Sequence, residues 1–154
     1  MRRTLWKLVK SLILDRRLLS AGSLLLTLVF LDLLFLHPIV PELDVPQHFL
    51  FGFVLSEVVS KTADSIALQK LLVRRYPKRD PRRMDLLLRL AGFLVLGGLL
   101  WESTERFVFP IFGAVPDPLF SLPITLTNID GTIDITMGAM GCLLAWYLAK
   151  PDGG

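Results

Sequence analysis

Long apolar runs separated by short polar segments dominate the chain, and this pattern predicts membrane-spanning helices. A helical span needs roughly 20 apolar residues, and four segments approach that length: 18–36, 46–65, 86–107 and 129–149. We expect the second of these helices to extend past the membrane boundary towards Val73. The fold class that the pattern predicts is all-α, an integral membrane bundle of about four transmembrane helices.

Residues 1–17 precede the first span and combine apolar positions with charge. The arginine pair after Met1 imitates the start of a signal peptide. However, Lys7 and Lys10 interrupt the apolar run, and no A-x-A-like cleavage site follows. We therefore expect a retained, basic amphipathic N-terminal helix that lies in the membrane interface. No composition shift or internal repeat divides the chain, so residues 1–154 are predicted to form a single transmembrane domain.

The composition agrees with a membrane protein. The hydrophobic fraction is 53% and the mean hydropathy is +0.57, whereas soluble domains average about 45–50% apolar residues. The lone cysteine, Cys142, excludes a disulfide framework, a CxxC redox pair and a thiolate metal site. The net charge of +3 does not indicate nucleic-acid binding, because the basic residues lie in two blocks beside the apolar runs, the arrangement that orients membrane proteins.

Charge asymmetry between the loops predicts the orientation. Residues 1–17 carry six Lys or Arg and residues 61–89 carry nine, whereas segments 37–47 and 103–128 carry only Arg106. Because positively charged loops stay in the cytoplasm, the N-terminus, the middle loop and the C-terminus are predicted to be cytoplasmic. The predicted location is the cell membrane, with several passes. Membrane lipids are the expected partners, since the basic middle loop suits anionic headgroups.

Polar pairs occur at the non-cytoplasmic end of three predicted spans. Their spacings of three and four residues place each pair on one helix face. Each pair lies 13 to 15 residues from the cytoplasmic boundary of its span, which is about 20 Å at a rise of 1.5 Å per residue. Three neighbouring helices should therefore bring the pairs to one depth. The six residues are Asp44 and His48, Glu102 and Glu105, and Asp130 and Asp134.

Five carboxylates around one histidine at this depth repel one another and are costly to bury without a positive charge. A divalent metal ion, shared protons or Arg106 could compensate, and the six residues are predicted to bind a divalent metal cation. Oxygen ligands with one imidazole suit Mg²⁺, Mn²⁺, Ca²⁺, Zn²⁺ or Fe²⁺. The alternative is that the acids only mark helix ends. Helix N-termini favour anions, which explains Asp44 and Asp130, but Glu102 and Glu105 end a helix, where anions are disfavoured.

Three blocks of the sequence resemble the YjdF-like family of small multi-spanning membrane proteins, which are more distantly similar to VanZ-like proteins. The first block is D-x-x-x-H-F followed by G-F, the second is an aromatic residue before E-x-x-E, and the third is D-x-x-x-D before a Gly/Ala-rich helix. They occur here in that order, at residues 44–53, 101–105 and 130–141. The resemblance adds weight to the six-residue site and implies no particular activity.

Three functions are compatible with the predicted cluster. In the first, the metal ion serves an enzyme acting on a lipid or lipid-linked substrate, with Glu102, Glu105 and Asp134 as candidate catalytic residues. In the second, the cluster belongs to a cation or proton transporter or channel subunit. Its inward path would use acids such as Asp32 and Glu57, and its four spans would form a homo-oligomer. In the third, the protein is a noncatalytic lipid-binding or accessory factor.

Other polar and small residues carry structural expectations. Glu57, Lys61 and Asp64 are spaced for a local ion pair on the second helix. Arg89 is near enough to a helix end for its charged head to reach water along the aliphatic stem. Asp32 is expected either to line a pathway or to face the bundle interior with a hydrogen-bond partner. A small-residue stripe suited to close helix packing is formed by Gly138, Gly141 and Ala145.

Overall fold

A computed structural model describes residues 2–32, 44–97 and 124–149 of the chain. Every regular element within these residues is helical, so the prediction of an all-α fold is confirmed. A π-helical turn, Phe93–Gly97, continues the fifth helix directly. The helices are α1 (Arg2–Ile13), α2 (Arg16–Leu31), α3 (Asp44–Ser65), α4 (Leu68–Arg75), α5 (Pro81–Gly92) and α6 (Ile124–Leu148).

Two aspartates fix where α2 and α5 begin. The carboxylate of Asp15 accepts hydrogen bonds from the backbone N–H groups of Arg17 and Leu18 at 2.9 and 3.0 Å, and that of Asp80 accepts one from Arg82 at 2.9 Å. These contacts satisfy N–H groups that have no helical acceptor in a first turn. Both helices therefore start within the basic segments, a few residues before the predicted apolar spans.

The four predicted spans overlap the helices to different extents. Spans 46–65 and 129–149 nearly coincide with α3 and α6. Spans 18–36 and 86–107 begin in α2 and α5, and their far ends lie outside the described residues. In the part of the chain that the structure describes, no helix combines the length and the apolarity of a membrane span.

The second predicted helix does not continue to Val73. α3 ends at Ser65, Ala67 adopts a left-handed backbone conformation with φ of 55°, and α4 begins at Leu68. A non-glycine residue rarely takes a positive φ, and this conformation interrupts the helical hydrogen-bond pattern. The expectation of one continuous helix is wrong because the break falls at an alanine, with neither glycine nor proline beside it to mark the position.

α3 lies at the centre of the described bundle, in contact with α1, α2, α5 and α6. Its contacts with α2 give the relative direction of the two helices. Lys61 near the end of α3 pairs with Asp15 at the start of α2, and Gln47 at the start of α3 bonds to Asp32 at the end of α2. The two helices are therefore antiparallel.

α5 is also antiparallel to α3. The hydroxyl of Ser60 donates to Asp85, near the start of α5, at 2.9 Å. Ser56, one turn earlier in α3, accepts from Arg89, one turn later in α5, at 3.1 Å. Contacts that move backward along one helix while moving forward along the other define antiparallel neighbours.

α6 runs parallel to α3. Gly52 lies against the backbone of Gly138, and Ser56, one turn later in α3, donates to the carbonyl of Cys142, one turn later in α6, at 3.4 Å. With α2 and α5 antiparallel to α3, the helices α2, α3, α5 and α6 alternate in direction along the chain. The starts of α2 and α5 and the ends of α3 and α6 consequently share one end of the bundle.

Small residues allow α3 and α6 to approach closely. A side chain at Gly138 or Gly141 would collide with the neighbouring elements, at Gly141 with the backbone carbonyl of Phe49. Only 1% of Ala145 is exposed. The predicted small-residue stripe therefore forms the α6 side of this contact, as expected from the sequence.

Several polar side chains lie inside the described bundle, and many large apolar side chains lie on its surface. The exposed apolar residues include Leu26 at 71%, Phe30 at 60%, Val95 at 59% and Ile135 at 56%. The bundle interior is thus held together by hydrogen bonds and ion pairs as well as by apolar packing. The buried polar residues are Asp32, Gln47, His48, Ser56, Ser60 and Arg89.

Candidate functional site

A histidine of α3 and an aspartate of α6 meet at the end of the bundle where both helices begin. His48 Nε2 lies 3.4 Å from Asp134 Oδ1, and only 8% of His48 is exposed. Each residue lies four positions before a glycine of the close contact, Gly52 in α3 and Gly138 in α6. Because the two helices are parallel, that contact also aligns the positions one turn earlier on both. The pairing of His48 with Asp134 follows from this register.

A second buried polar pair lies at the same end of the bundle. Gln47, next to His48 in sequence, donates from Nε2 to Asp32 Oδ2 at 2.9 Å, and the two residues are 1% and 6% exposed. Asp32 therefore faces the bundle interior with a hydrogen-bond partner, which is one of the two positions expected for it. The contact joins the end of α2 to the first turn of α3, directly beside His48.

The other four residues of the predicted cluster have no described side chains. Glu102 and Glu105 lie outside the described residues, and so do the side chains of Asp44 and Asp130, although their backbones belong to α3 and α6. Among the side chains that the structure does describe, no group of three or more His, Cys, Asp or Glu could hold a metal ion. The six-residue metal site remains a prediction, of which the structure describes His48 and Asp134.

The spacing within the His48–Asp134 pair suits joint coordination of a metal ion. Imidazole nitrogen and carboxylate oxygen bind Zn²⁺ at about 2.0–2.2 Å, so two such ligands at a tetrahedral angle lie roughly 3.4 Å apart. The Nε2 to Oδ1 distance of 3.4 Å matches that separation. The separation of these two atoms is therefore compatible with one ion bound by both side chains.

A buried arginine organises a second polar cluster, halfway along α3. Arg89 is 3% exposed. Its Nε donates to Asp85 Oδ2 at 2.8 Å, and its Nη1 donates to Glu57 Oε1 at 2.9 Å and to Ser56 Oγ at 3.1 Å. Asp85 also accepts from Ser60 and from Gln69, at 2.9 and 2.8 Å. We call Ser56, Glu57, Ser60, Gln69, Asp85 and Arg89 the Arg89 cluster.

Two sequence predictions about these charges are wrong. Arg89 does not extend to water, because Glu57 and Asp85 hold its guanidinium inside the bundle. Glu57 and Lys61 do not pair with each other, because Lys61 Nζ contacts Asp15 Oδ2 on α2 at 2.7 Å. The i, i+4 spacing of Asp85 and Arg89 was the available signal for this cluster. The partners on α3 could not be identified without the helix register.

The surroundings of Asp15 lower the pKa of its carboxyl group. Burial raises the pKa of Asp15, but the hydrogen bond and charge of Lys61 and the backbone N–H donors of Leu18 and Arg17 lower it. Together the lowering contacts outweigh burial, and the pKa of Asp15 lies below its ordinary value. Asp15 is therefore ionised at neutral pH, and its ion pair with Lys61 ties the start of α2 to the last turns of α3.

A cavity of about 770 Å³ opens at the end of the bundle where α2 and α5 start. Arg17 Nη1 donates to the carbonyl of Leu148 at 2.6 Å, which satisfies one of the terminal acceptors of α6. Trp146 Nε1 donates to the carbonyl of Arg82 at 3.1 Å, and the Arg82 guanidinium lies 5.0 Å from the centre of the Trp146 ring. These contacts draw three helix ends together around the cavity, which we call the charged cavity.

Comparison with known proteins does not assign the chain to a family. No protein-family model, no curated protein and no solved structure matches it. The resemblance to the YjdF-like family therefore remains a prediction. The features that bear on function are the His48–Asp134 pair, the Arg89 cluster and the charged cavity.

Proposed function

We propose that this chain is an integral membrane bundle that binds a divalent cation near its non-cytoplasmic face, through a site containing His48 and Asp134. The observation that carries the proposal is the meeting of these two side chains at 3.4 Å, at the end of the bundle away from the basic residues. A cation between them would neutralise the charge of Asp134 and of any further carboxylate beside it.

The placement of charge supports the membrane part of the proposal. The alternating directions of α2, α3, α5 and α6 bring the basic segments before α2 and before α5 to one end of the bundle. Such a one-sided distribution of basic residues is expected for a multi-spanning protein with that end in the cytoplasm. His48 and Asp134 then belong to the opposite, non-cytoplasmic end.

The burial pattern independently supports the membrane part of the proposal. Water-soluble proteins seldom leave large apolar patches exposed, yet Leu24, Leu26 and Phe30 of α2 are all at least half exposed. Membrane bundles direct ionisable groups towards their interior, where they pair with one another. Arg89 and Asp32, each buried with a hydrogen-bond partner, follow that rule.

Helical spacing indicates the remaining ligands of the proposed ion. Asp44 precedes His48 by four residues in α3, and Asp130 precedes Asp134 by four in α6, so each lies one turn further towards the same end. Glu102 and Glu105 are proposed to complete the set. Carboxylates with one imidazole suit Mg²⁺, Mn²⁺, Ca²⁺, Zn²⁺ or Fe²⁺, and the geometry favours none of them over the others.

In the catalytic form of the proposal, the ion activates water or polarises a phosphoryl oxygen of a lipid or lipid-linked substrate. Glu102, Glu105 and Asp134 are the candidate bases. The transport alternative has less support. Glu57, an acid expected on the inward path, is already paired with buried Arg89 at 2.9 Å, so its carboxylate is engaged and does not offer a free site for a passing cation.

A thermal-stability titration of the detergent-purified protein tests the cation site. Each of the five candidate ions is added to metal-free wild-type protein, and unfolding is followed by circular dichroism. An ion that binds only the folded state stabilises it by about 2.7 kcal/mol at 100 times its dissociation constant. Asp134→Asn should abolish this stabilisation. Asp64→Asn, the same chemical change on an exposed residue near the opposite end of α3, should retain it.

The titration contradicts the proposal if none of the five ions stabilises the wild-type protein, or if Asp134→Asn responds as strongly as the wild type. Membrane insertion is tested separately by alkaline extraction of cell membranes. The chain should stay in the pellet. Its release into the supernatant would contradict membrane insertion. The cation site would then still be tested by the titration.

A further inference from the structure

The wall of the charged cavity carries a surplus of positive charge. Five basic and four acidic side chains line it, Asp64 being the fourth acid, so the excess is one positive charge. Three of the acids already accept from described donors: Asp15 from Lys61, and Glu57 and Asp85 from Arg89. These contacts also engage two of the five basic side chains, Lys61 and Arg89. The remaining basic side chains in the wall are those of Arg16, Arg17 and Arg82.

These three arginines have donors to offer a ligand. Arg16 makes no hydrogen bond or ion pair within the described residues, and Arg17 uses one N–H group for the carbonyl of Leu148. Arg82 stacks on Trp146, a contact that leaves the N–H edge of the guanidinium available. All three side chains are exposed. Planar guanidinium groups bind phosphate oxygens with paired hydrogen bonds, so this arrangement suits a phosphate better than a simple halide.

The apolar part of the wall restricts the ligand further. Leu14, Pro81, Trp146 and Ala149 line the same cavity as the arginines. A site with both characters fits an amphiphile whose phosphate contacts the arginines and whose acyl chains contact the apolar residues. The cavity volume of about 770 Å³ is within the range of roughly 300–1,000 Å³ that is usual for small-molecule sites.

We propose that the charged cavity binds an anionic phosphate ester, through Arg16, Arg17 and Arg82. The membrane orientation proposed above places the cavity at the headgroup level of the cytoplasmic leaflet, where aromatic residues such as Trp146 are common. This orientation favours a phospholipid headgroup as the source. The choice of a phospholipid as the source rests on the proposed membrane orientation. The phosphate site itself does not involve the cation site at the other end of the bundle.

Binding is measured on the delipidated full chain in neutral detergent, without added metal, by native mass spectrometry and thermal shift. The probes are dioctanoyl phosphatidylglycerol, dioctanoyl phosphatidylcholine and sn-glycerol 3-phosphate. The cavity variant is Arg16→Gln/Arg82→Gln. The matched control, Arg74→Gln/Arg79→Gln, removes the same charge from exposed residues that do not line the cavity.

We expect wild-type protein to bind phosphatidylglycerol more tightly than phosphatidylcholine. The cavity variant should bind phosphatidylglycerol at least about tenfold more weakly, equivalent to about 1.4 kcal/mol. The control variant should lose less than about threefold in phosphatidylglycerol affinity, because salt screens exposed charges that lie away from the ligand. If the double variant does not fold, Arg16→Gln alone provides the comparison, because its exposed side chain makes no described contact.

Binding of sn-glycerol 3-phosphate with the same dependence on the arginines supports the phosphate site and identifies a soluble source. Equal losses of phosphatidylglycerol affinity in the cavity and control variants would overturn the proposal. It would also be overturned if the wild type bound the two lipids equally well and did not bind sn-glycerol 3-phosphate. Failure of the metal titration leaves this test unaffected, since no metal is present in it.

Discussion

The Arg89 cluster gives an energetic prediction for the substitution Arg89→Met. Methionine keeps much of the aliphatic stem but removes the guanidinium, which makes three hydrogen bonds of 2.8 to 3.1 Å. The side chains of Glu57 and Asp85, 13% and 17% exposed, then lose their described cation. The substitution therefore leaves two partly buried negative charges that face each other between α3 and α5.

The expected loss follows from the fate of those two carboxylates. Removing one partner of a buried ion pair costs about 3–5 kcal/mol. Both carboxylates are only partly buried, and Asp85 keeps its hydrogen bonds from Ser60 and Gln69, so the lower end of that range applies. We therefore expect Arg89→Met to lower the free energy of unfolding by about 3 kcal/mol.

The assay is denaturant unfolding in detergent, followed by circular dichroism of the helical signal. Arg79→Met removes an exposed arginine and should change stability by less than about 0.5 kcal/mol. The triple variant Arg89→Met/Glu57→Gln/Asp85→Asn should be more stable than Arg89→Met alone, because no buried charge is left without a counter-charge. A loss of less than about 1 kcal/mol for Arg89→Met would refute the reasoning, since that is the scale of a surface ion pair.

Two further predictions concern the helix contacts. Gly141→Ala adds a Cβ that meets the backbone of Phe49 and should destabilise the protein by about 1–3 kcal/mol. Gly22→Ala, in open space on α2, should instead stabilise it by about 0.4–1 kcal/mol; equal effects in thermal unfolding would contradict the close α3–α6 contact. Asp15 has a lowered pKa, so its stabilising contribution is complete above the unfolded pKa of about 3.9 and is lost as the pH falls through the folded value. The melting-temperature difference between wild type and Asp15→Asn should therefore shrink below about pH 4, and a difference that stays constant with pH would argue against the Lys61 pair.

The sequence predicted the positions of helices that are set by long apolar runs. It did not predict helix boundaries that are set by single tertiary contacts. The prolonged apolar patterns located α2, α3, α5 and α6, and the Gly138–Gly141 spacing indicated the close contact of α6. The break at Ala67 has no local signal, because alanine favours helix. After the break, α4 contacts α5, and Gln69 of α4 donates to Asp85. Propensity is easily overridden by such tertiary contacts.

The polar contacts show the same limit. The i, i+4 rule favoured a Glu57–Lys61 pair, but the register of α3 against its neighbours gives each of them a partner on another helix. Long-range pairs of this kind depend on helix direction and rotation, which a single sequence does not contain. The meeting of His48 with Asp134 was expected because both helices were assigned the same direction from the loop charges.

Pulsed electron paramagnetic resonance of Mn²⁺ bound to the purified protein tests the proposed cation site most directly. The chain has two histidines, His37 and His48, so a nitrogen hyperfine coupling can be assigned by substitution. We predict a coupling in the wild type and in His37→Gln that is lost in His48→Gln. Bound Mn²⁺ without any nitrogen coupling, or a coupling that persists in His48→Gln, would contradict a cation site at the His48–Asp134 pair.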